Sequence, residues 1–251
     1  EESTIQKILE KAFSDTDAVR LVSIEKDDYK KELFSLYKDN IIDQYYGLKI
    51  QYLYPFISGK DFTYIPSPYL VVNAVTESML NRVTFRDNKL RRAIGKEVIE
   101  SYLYNIVRQL DTVTWISPEL LYKKGKDKLL TSDVIAAEGD NVIFYDTKAI
   151  TPSLKLRKFD VAEIEADIEI YAEDVIQIYN QINNYLQGCF QLDKQYLKDK
   201  IFGIVVVLED AVVSRKKVYE KVYEILEKTE TLDTEEKNYI CSHIKVLPLR
   251  A

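Results

Sequence analysis

Glycine is scarce, at 7 in 251 residues, and Gly47, Gly59, Gly95, Gly125, Gly139, Gly188 and Gly203 never fall into GxGxxG or GxxxxGK(S/T). A phosphate cradle made of backbone N–H groups needs those spacings, so dinucleotide and P-loop nucleotide binding are excluded. The single histidine, His243, excludes HExxH zinc hydrolases, His-Asn-His nucleases and any pair of imidazoles working as acid and base. Two cysteines, Cys189 and Cys241, are too few for a zinc cluster of their own or for a disulfide framework. No uninterrupted apolar run reaches about 18 residues and no signal-peptide pattern is present, so no membrane span and a cytoplasmic location are expected. The chain starts at Glu1 rather than Met, which fits a domain cut from a longer protein.

What is present is the composition of a folded chain: 46% hydrophobic, 12% aromatic and 30% charged residues, far from the disordered regime. At roughly 150 residues per domain the length is that of one large domain or two small ones. The net charge of -6 hides an asymmetry. Arg86, Lys89, Arg91, Arg92 and Lys96 form one basic group, Lys123, Lys124, Lys126 and Lys128 a second, and Lys155, Arg157 and Lys158 a third. An acidic block from Asp160 to Asp174 follows at once.

Two regions are distinguished. Residues 1–87 read as mainly helical, with Ile5, Ile8, Leu9 and Phe13 and then Leu33, Leu36 and Tyr37 at helical spacing. Residues 46–68 read as extended loop or short strand, and a further helix is expected from near 67 to near 82. From residue 88 the pattern becomes regular. Leu90, Ile94, Val98, Leu103, Val107 and Leu110 predict one long amphipathic helix. Strands are expected over 113–122, interrupted by Pro118, and over 129–137 and 142–150, the last two joined as a hairpin at Gly139-Asp140-Asn141. A helix over 163–186, a strand over 201–208, helices over 214–228 and 234–241 and a strand over 244–249 complete an α-β-β-β-α-β-α-β order.

The second hairpin strand ends Asp146-Thr147-Lys148, so Asp146 and Lys148 share one face. Asp133 lies on the partner strand, and the turn brings it towards Asp146. Carboxylate oxygens are the ligands that Mg2+ prefers, and a nearby ammonium neutralises charge that develops on a phosphate.

Ser132-Asp133, a gap of a dozen residues and Asp146-Thr147-Lys148 resemble the PD-(D/E)XK nuclease superfamily, with Ser in the usual Pro position. Gly95 through Glu100 is similar to the family's upstream helical motif, and Gln181 through Tyr185 is similar to the QxxxY motif of its RecB-type branch. The resemblance covers residues 88 to about 208. It implies an α/β, restriction-endonuclease-like αβββαβ core with a mixed central sheet flanked by helices, carrying a helical N-terminal elaboration. It also implies a Mg2+-dependent (or Mn2+-dependent) nuclease with Asp133, Asp146 and Glu100 as metal ligands together with Thr147. Lys148 would orient water or stabilise the transition state, and Gln181 would orient the lysine or the substrate. Lys123, Lys124, Lys126, Lys155, Arg157 and Lys158 flank the cleft in that fold and become candidate phosphate contacts. DNA is the expected substrate with RNA as the other candidate. Restriction or antiphage defence, a partner protein, further domains or a homodimer are expectations of the same resemblance.

Blander readings stand beside these. Glu100 also fits a surface glutamate paired with Arg92 or Lys96, and Gln177 offers the same i, i+4 geometry as Gln181. His243 and Cys241 read as structural, Ser35-Leu36-Tyr37-Lys38 as a chance S-x-x-K, and the tyrosine rows as core. A catalytically inactive module of the same fold, binding nucleic acid or a protein partner, is the alternative function.

Overall fold

The structure is a computed structural model that describes residues 23–37, 56–61, 63–65, 67, 69, 88–149, 161–208, 213–228 and 231–249. The chain divides into two compact units, Glu1–Ile94 with Ser153–Asp160, and Gly95–Pro152 with Val161–Ala251. The helix expected over 3–13 lies outside the described residues, as does almost all of that expected over 67–82.

The first unit holds β1 (Ser23–Glu25), α1 (Lys26–Tyr37), β2 (Phe56–Ser58), β3 (Thr63–Tyr64) and α2 (Asn88–Ile94). β1 pairs in parallel with β2, and β2 pairs antiparallel with β3. This small sheet amends the helical expectation for residues 23–25, because a backbone partner from a distant segment outweighs weak local helix propensity. The extended reading of residues 46–68 corresponds to β2 and β3.

The second unit opens with a π-helix, Gly95–Glu100, that runs into α3 (Ser101–Arg108). Five strands follow: β4 (Val113–Pro118), β5 (Leu121–Lys124), β6 (Asp127–Leu130), β7 (Val134–Glu138) and β8 (Asn141–Lys148). Then come α4 (Val161–Leu186), β9 (Ile201–Val207), α5 (Arg215–Leu226), α6 (Thr234–His243) and β10 (Ile244–Pro248). The main sheet has the order β10-β9-β8-β7-β4. β4, β7 and β8 are antiparallel neighbours, whereas β8, β9 and β10 are parallel. A parallel pair needs a crossover, and α4 supplies the one between β8 and β9. The unit is therefore mixed α/β, a mixed sheet flanked by helices.

Two expected strands each divide. Pro118 lacks the N–H needed to continue a ladder, so the run expected over 113–122 becomes β4 and β5, and the run over 129–137 becomes β6 and β7. β5 and β6 pair only with each other, as a two-stranded ribbon. The hairpin is as expected: Glu138 pairs with Asn141, and Gly139 adopts φ 59° in the turn, where a residue with a Cβ would be strained.

Strand alternation divides the core into two layers. Val142 and Phe144 of β8, Ile135 and Ala137 of β7 and Ile201, Val205 and Val207 of β9 meet one face of α4, whose Tyr171, Val175, Ile178 and Ile182 are fully or almost fully buried. Val134, Ala136 and Val206 point the other way, onto Leu103 and Val107 of α3. The approach of α4 to the sheet depends on one glycine. A Cβ on Gly203 would lie 2.3 Å from Ile178 Cγ2, closer than packed carbon atoms approach. Gly203→Ala is expected to destabilise the protein by about 1–3 kcal/mol through overpacking, read as a lowered urea midpoint with unchanged m-value. An unchanged midpoint would mean that α4 rides further from β9.

Candidate active site

At its C-terminal end β8 carries polar residues on the face that buries Val142 and Phe144 further back. Asp146 is therefore buried beneath α4 with 3% exposure, and Lys148 follows two residues later on the same face. The β7–β8 register pairs Val134 with Tyr145, so the next step along the ladder sets Asp133 beside Asp146. Asp133 Oδ2 accepts from the backbone N–H of Thr147 and from its hydroxyl, both at 2.6 Å. Such short charge-assisted bonds fix the entry to β7 against the end of β8.

Lys148 Nζ stands 2.7 Å from Asp146 Oδ2 and 3.4 Å from Asp174 Oδ1, and donates to Gln177 Oε1 at 2.8 Å. Gln177 Nε2 reaches back to Asp146 Oδ1 at 3.4 Å. Asp146 Oδ2 and Asp174 Oδ2 are buried without a well-aligned hydrogen-bond donor. Burial raises the pKa of Asp146, the Lys148 ammonium pulls it down, and the charge of Asp133 adds to the rise. For Lys148 burial lowers the pKa, but the carboxylates of Asp146 and Asp174 outweigh it and the net shift is upward. Asp174 is pushed up to about 6, chiefly by burial and against the pull of Lys148. Removing one partner from a buried ion pair costs about 3–5 kcal/mol, so this pair shapes the end of β8 as much as any chemistry does.

Glu100 is the last residue of the π-helix. Five-residue winding departs from the α-helical phase expected across 88–110, and such insertions frequently occur at functional sites. Gly95 lies at the other end of the same turn, where a Cβ would sit 3.4 Å from the Cβ of Ala149, the residue after Lys148. The π-helix therefore runs close to the end of β8, at ordinary van der Waals distance even for a side chain in place of Gly95. Burial pushes the Glu100 carboxyl up to about 7, helped by the charges of Asp133, Glu119 and Asp146 and opposed by Lys96. Lys96 itself pairs with Glu119 at 3.8 Å while also drawing the Glu100 carboxyl down.

The structure brings Asp133, Asp146, Thr147, Lys148 and Glu100 into one neighbourhood. The lysine-orienting role expected of Gln181 falls instead to Gln177, one turn earlier on α4. Gln181 Oε1 accepts a very short bond from the Ser132 hydroxyl, which holds the residue before Asp133 onto the helix. Tyr185 is structural: its hydroxyl donates to the Lys194 carbonyl at 3.2 Å and accepts from Tyr196 N–H at 2.9 Å. Lys124 donates to Asn184 Oδ1 at 2.7 Å, which makes it an anchor of the ribbon, whereas Lys123 and Lys126 are exposed. Lys155, Arg157 and Lys158 lie outside the described residues. Asp174 and Glu119 were not foreseen as site residues, and Gln177 was foreseen only as an equivalent of Gln181 in helical geometry. Gln177 and Asp174 lie four and seven residues before Gln181, so the helical phase of Gln181 is the signal that points to them.

Among the described residues no three His, Cys, Asp or Glu side chains stand together as a ready metal cluster. Asp133 faces Thr147, and Asp146 faces Lys148. The donor set nevertheless fits a hard divalent cation in kind, since all its members are carboxylate oxygens, with Asp146 Oδ2 met by the Lys148 ammonium at 2.7 Å. Among the described residues no helix is long and apolar enough to cross a membrane.

A carboxyl raised above its unfolded value favours folding below that value and loses the contribution as pH climbs through the folded one. For Glu100 the window runs from the ordinary carboxyl value of 4.5 to about 7. In the presence of chelator, Glu100→Gln should raise Tm relative to wild type at pH 8 and change it little at pH 4. An equal difference at both pH values would mean that Glu100 titrates as an ordinary surface group.

Comparison with known proteins adds a partial likeness. No family model matches the chain, and no solved structure matches it. Over 134 residues, 53% of this chain, it is 26% identical to a protein from Gelasinospora sp. (strain G114) described as a probable DNA-directed RNA polymerase. The match spans 15% of that relative's length.

Proposed function

We propose that the protein is a metal-dependent nuclease that hydrolyses phosphodiester bonds, with DNA as substrate ahead of RNA. The observation that carries this reading is the convergence of Asp133, Asp146 and Lys148 at the end of one hairpin, with Glu100 raised to about 7 by the neighbouring acids. The charges of Asp133, Glu119 and Asp146 all push the Glu100 carboxyl up, a repulsion that a bound cation would offset. Asp133, Asp146 and Glu100 would hold Mg2+ or Mn2+, with Thr147 positioning Asp133 through its two donated bonds. Such an ion polarises phosphate oxygens and acidifies bound water. Lys148 supplies positive charge beside the scissile phosphate, while Gln177 and Asp174 hold its ammonium in place. The restriction-endonuclease-like arrangement of the core belongs to the same proposal and is supported by the helix, antiparallel strands, helix and parallel strand in that order. The partial likeness to a protein named as a polymerase of nucleic acid is compatible with this ligand class and carries nothing about the reaction.

The test is cleavage of linear, circular and single-stranded DNA and of RNA, with Mg2+, Mn2+ or EDTA, by wild type, Asp146→Asn and Lys148→Gln. Metal-dependent cutting should fall by at least about 100-fold in both variants, as expected when a group acting on transition-state charge is removed. Circular dichroism melts establish that each variant is folded. Metal-independent cutting, or equal cutting by folded Asp146→Asn, contradicts the proposal. No cutting by wild type, with nucleic acid still bound, would favour the inactive binding module.

A further inference from the structure

The β5–β6 ribbon is rooted in the acidic site. It leaves the chain two residues after Glu119 and returns three residues before Asp133, and its base is closed by Thr131 N–H to Leu120 O at 2.9 Å and Leu120 N–H to Thr131 Oγ1 at 2.8 Å. One face is fastened to the body of the unit. Tyr122 is buried against Phe190, with ring centroids 4.8 Å apart, and accepts from Asn184 Nδ2 at 2.8 Å. Lys124, on the same face, binds the same Asn184.

The opposite face looks outward and has an unusual composition. Leu121 pairs directly with Leu130, and Lys123 directly with Lys128. Leu121 is 66% exposed and Leu130 48%, and both lysines are exposed. Like charges directly opposite each other destabilise a two-stranded ribbon, and among the described residues no carboxylate forms an ion pair with either lysine. Lys126 adds a third cation at the tip, beside Gly125 with φ 63°. Exposed lysines keep a short ribbon from pairing edge to edge, but this pair also stands where a polyanion approaching the carboxylates of Glu100, Glu119, Asp133 and Asp146 would be repelled unless cations met it at the rim.

We propose that the outer face of the β5–β6 ribbon docks duplex DNA, with Lys123 and Lys128 on backbone phosphates and Leu121 and Leu130 against the groove. Charge complementarity selects nucleic acid. A two-stranded ribbon is an element that the major groove admits, and apolar side chains there meet thymine methyl groups, so duplex is the form that fits. The proposal rests on the nuclease reading only for its choice of ligand, and its test is independent of cleavage.

The experiment is fluorescence anisotropy of a labelled 20-base-pair duplex in EDTA, over a salt series, with wild type and the double variant Lys123→Gln/Lys128→Gln. Loss of two phosphate contacts lowers the salt slope by about 2 and the affinity on the order of tenfold. Relief of the opposed charges leaves Tm unchanged or raised, which separates loss of binding from loss of fold. Equal affinity and slope in the two proteins, no duplex binding by wild type, or a preference for single strands or for poly-glutamate over duplex would overturn the proposal. If the lysine pair carries duplex binding while wild type cuts nothing with Mg2+ or Mn2+, the nuclease reading falls and the ribbon surface stands. Metal-dependent cutting by wild type, with duplex bound equally by the double variant, is the reverse.

Discussion

A lysine ammonium set between two buried carboxylates is the constraint on which the site depends. Lys148 contacts Asp146 on its own strand and Asp174 on α4, so strand and helix are tied at the point where the hairpin ends. The tie holds only if α4 lies close to the sheet. That closeness is produced further back by Ile178 seated over Gly203 and by the apolar row Tyr171, Val175, Ile178 and Ile182. Core packing and site geometry are thus one arrangement: the residues that bury α4 also aim Asp174, Gln177 and Gln181 at the ends of β7 and β8.

Electrostatics in this neighbourhood opposes the charged form of its buried carboxyls. The charges of Asp133 and Glu119 push up both Glu100 and Asp146, while Lys96 opposes the shift at Glu100 and Lys148 that at Asp146. Perturbed carboxylates are found both at sites that handle charge and in structural ion-pair networks, and under the proposed nuclease function this group is of the first kind. The β5–β6 ribbon repeats the theme with the opposite sign, cations facing cations across a short ladder. Acid at the centre and base at the rim is the distribution that a phosphodiester substrate and a divalent ion would complete.

Much of the second unit was legible because its signals are local. The continuous apolar run Val142 to Tyr145 and the Gly139-Asp140 turn specify the hairpin, and the spacing of Asp146 and Lys148 specifies their common face. What was missed depended on phase or on distant contacts. The π-helix shifts the register of the helix leading to Glu100, and no propensity marks five-residue winding. Exchange of Gln181 for Gln177 as partner of Lys148 is a matter of one helical turn, decided by where α4 crosses β8. Pro118 marks the interruption of the first strand in the sequence itself, whereas the pairing of the outer pieces as a separate ribbon turns on the closure of Leu120 against Thr131, a contact between residues 11 apart. In the first unit, residues 23–25 became a strand because their partner, Phe56–Ser58, is supplied by a segment far along the chain.

The central claim is that the hairpin end is a divalent-cation site built from Asp133 and Asp146. Titration of Mn2+ into the intact chain at neutral pH, followed by calorimetry and by electron paramagnetic resonance of the free ion, tests it without reference to substrate. The account predicts saturable binding that is lost in both Asp133→Asn and Asp146→Asn while each variant still melts cooperatively. Absence of binding by wild type, or binding indifferent to both substitutions, would contradict it.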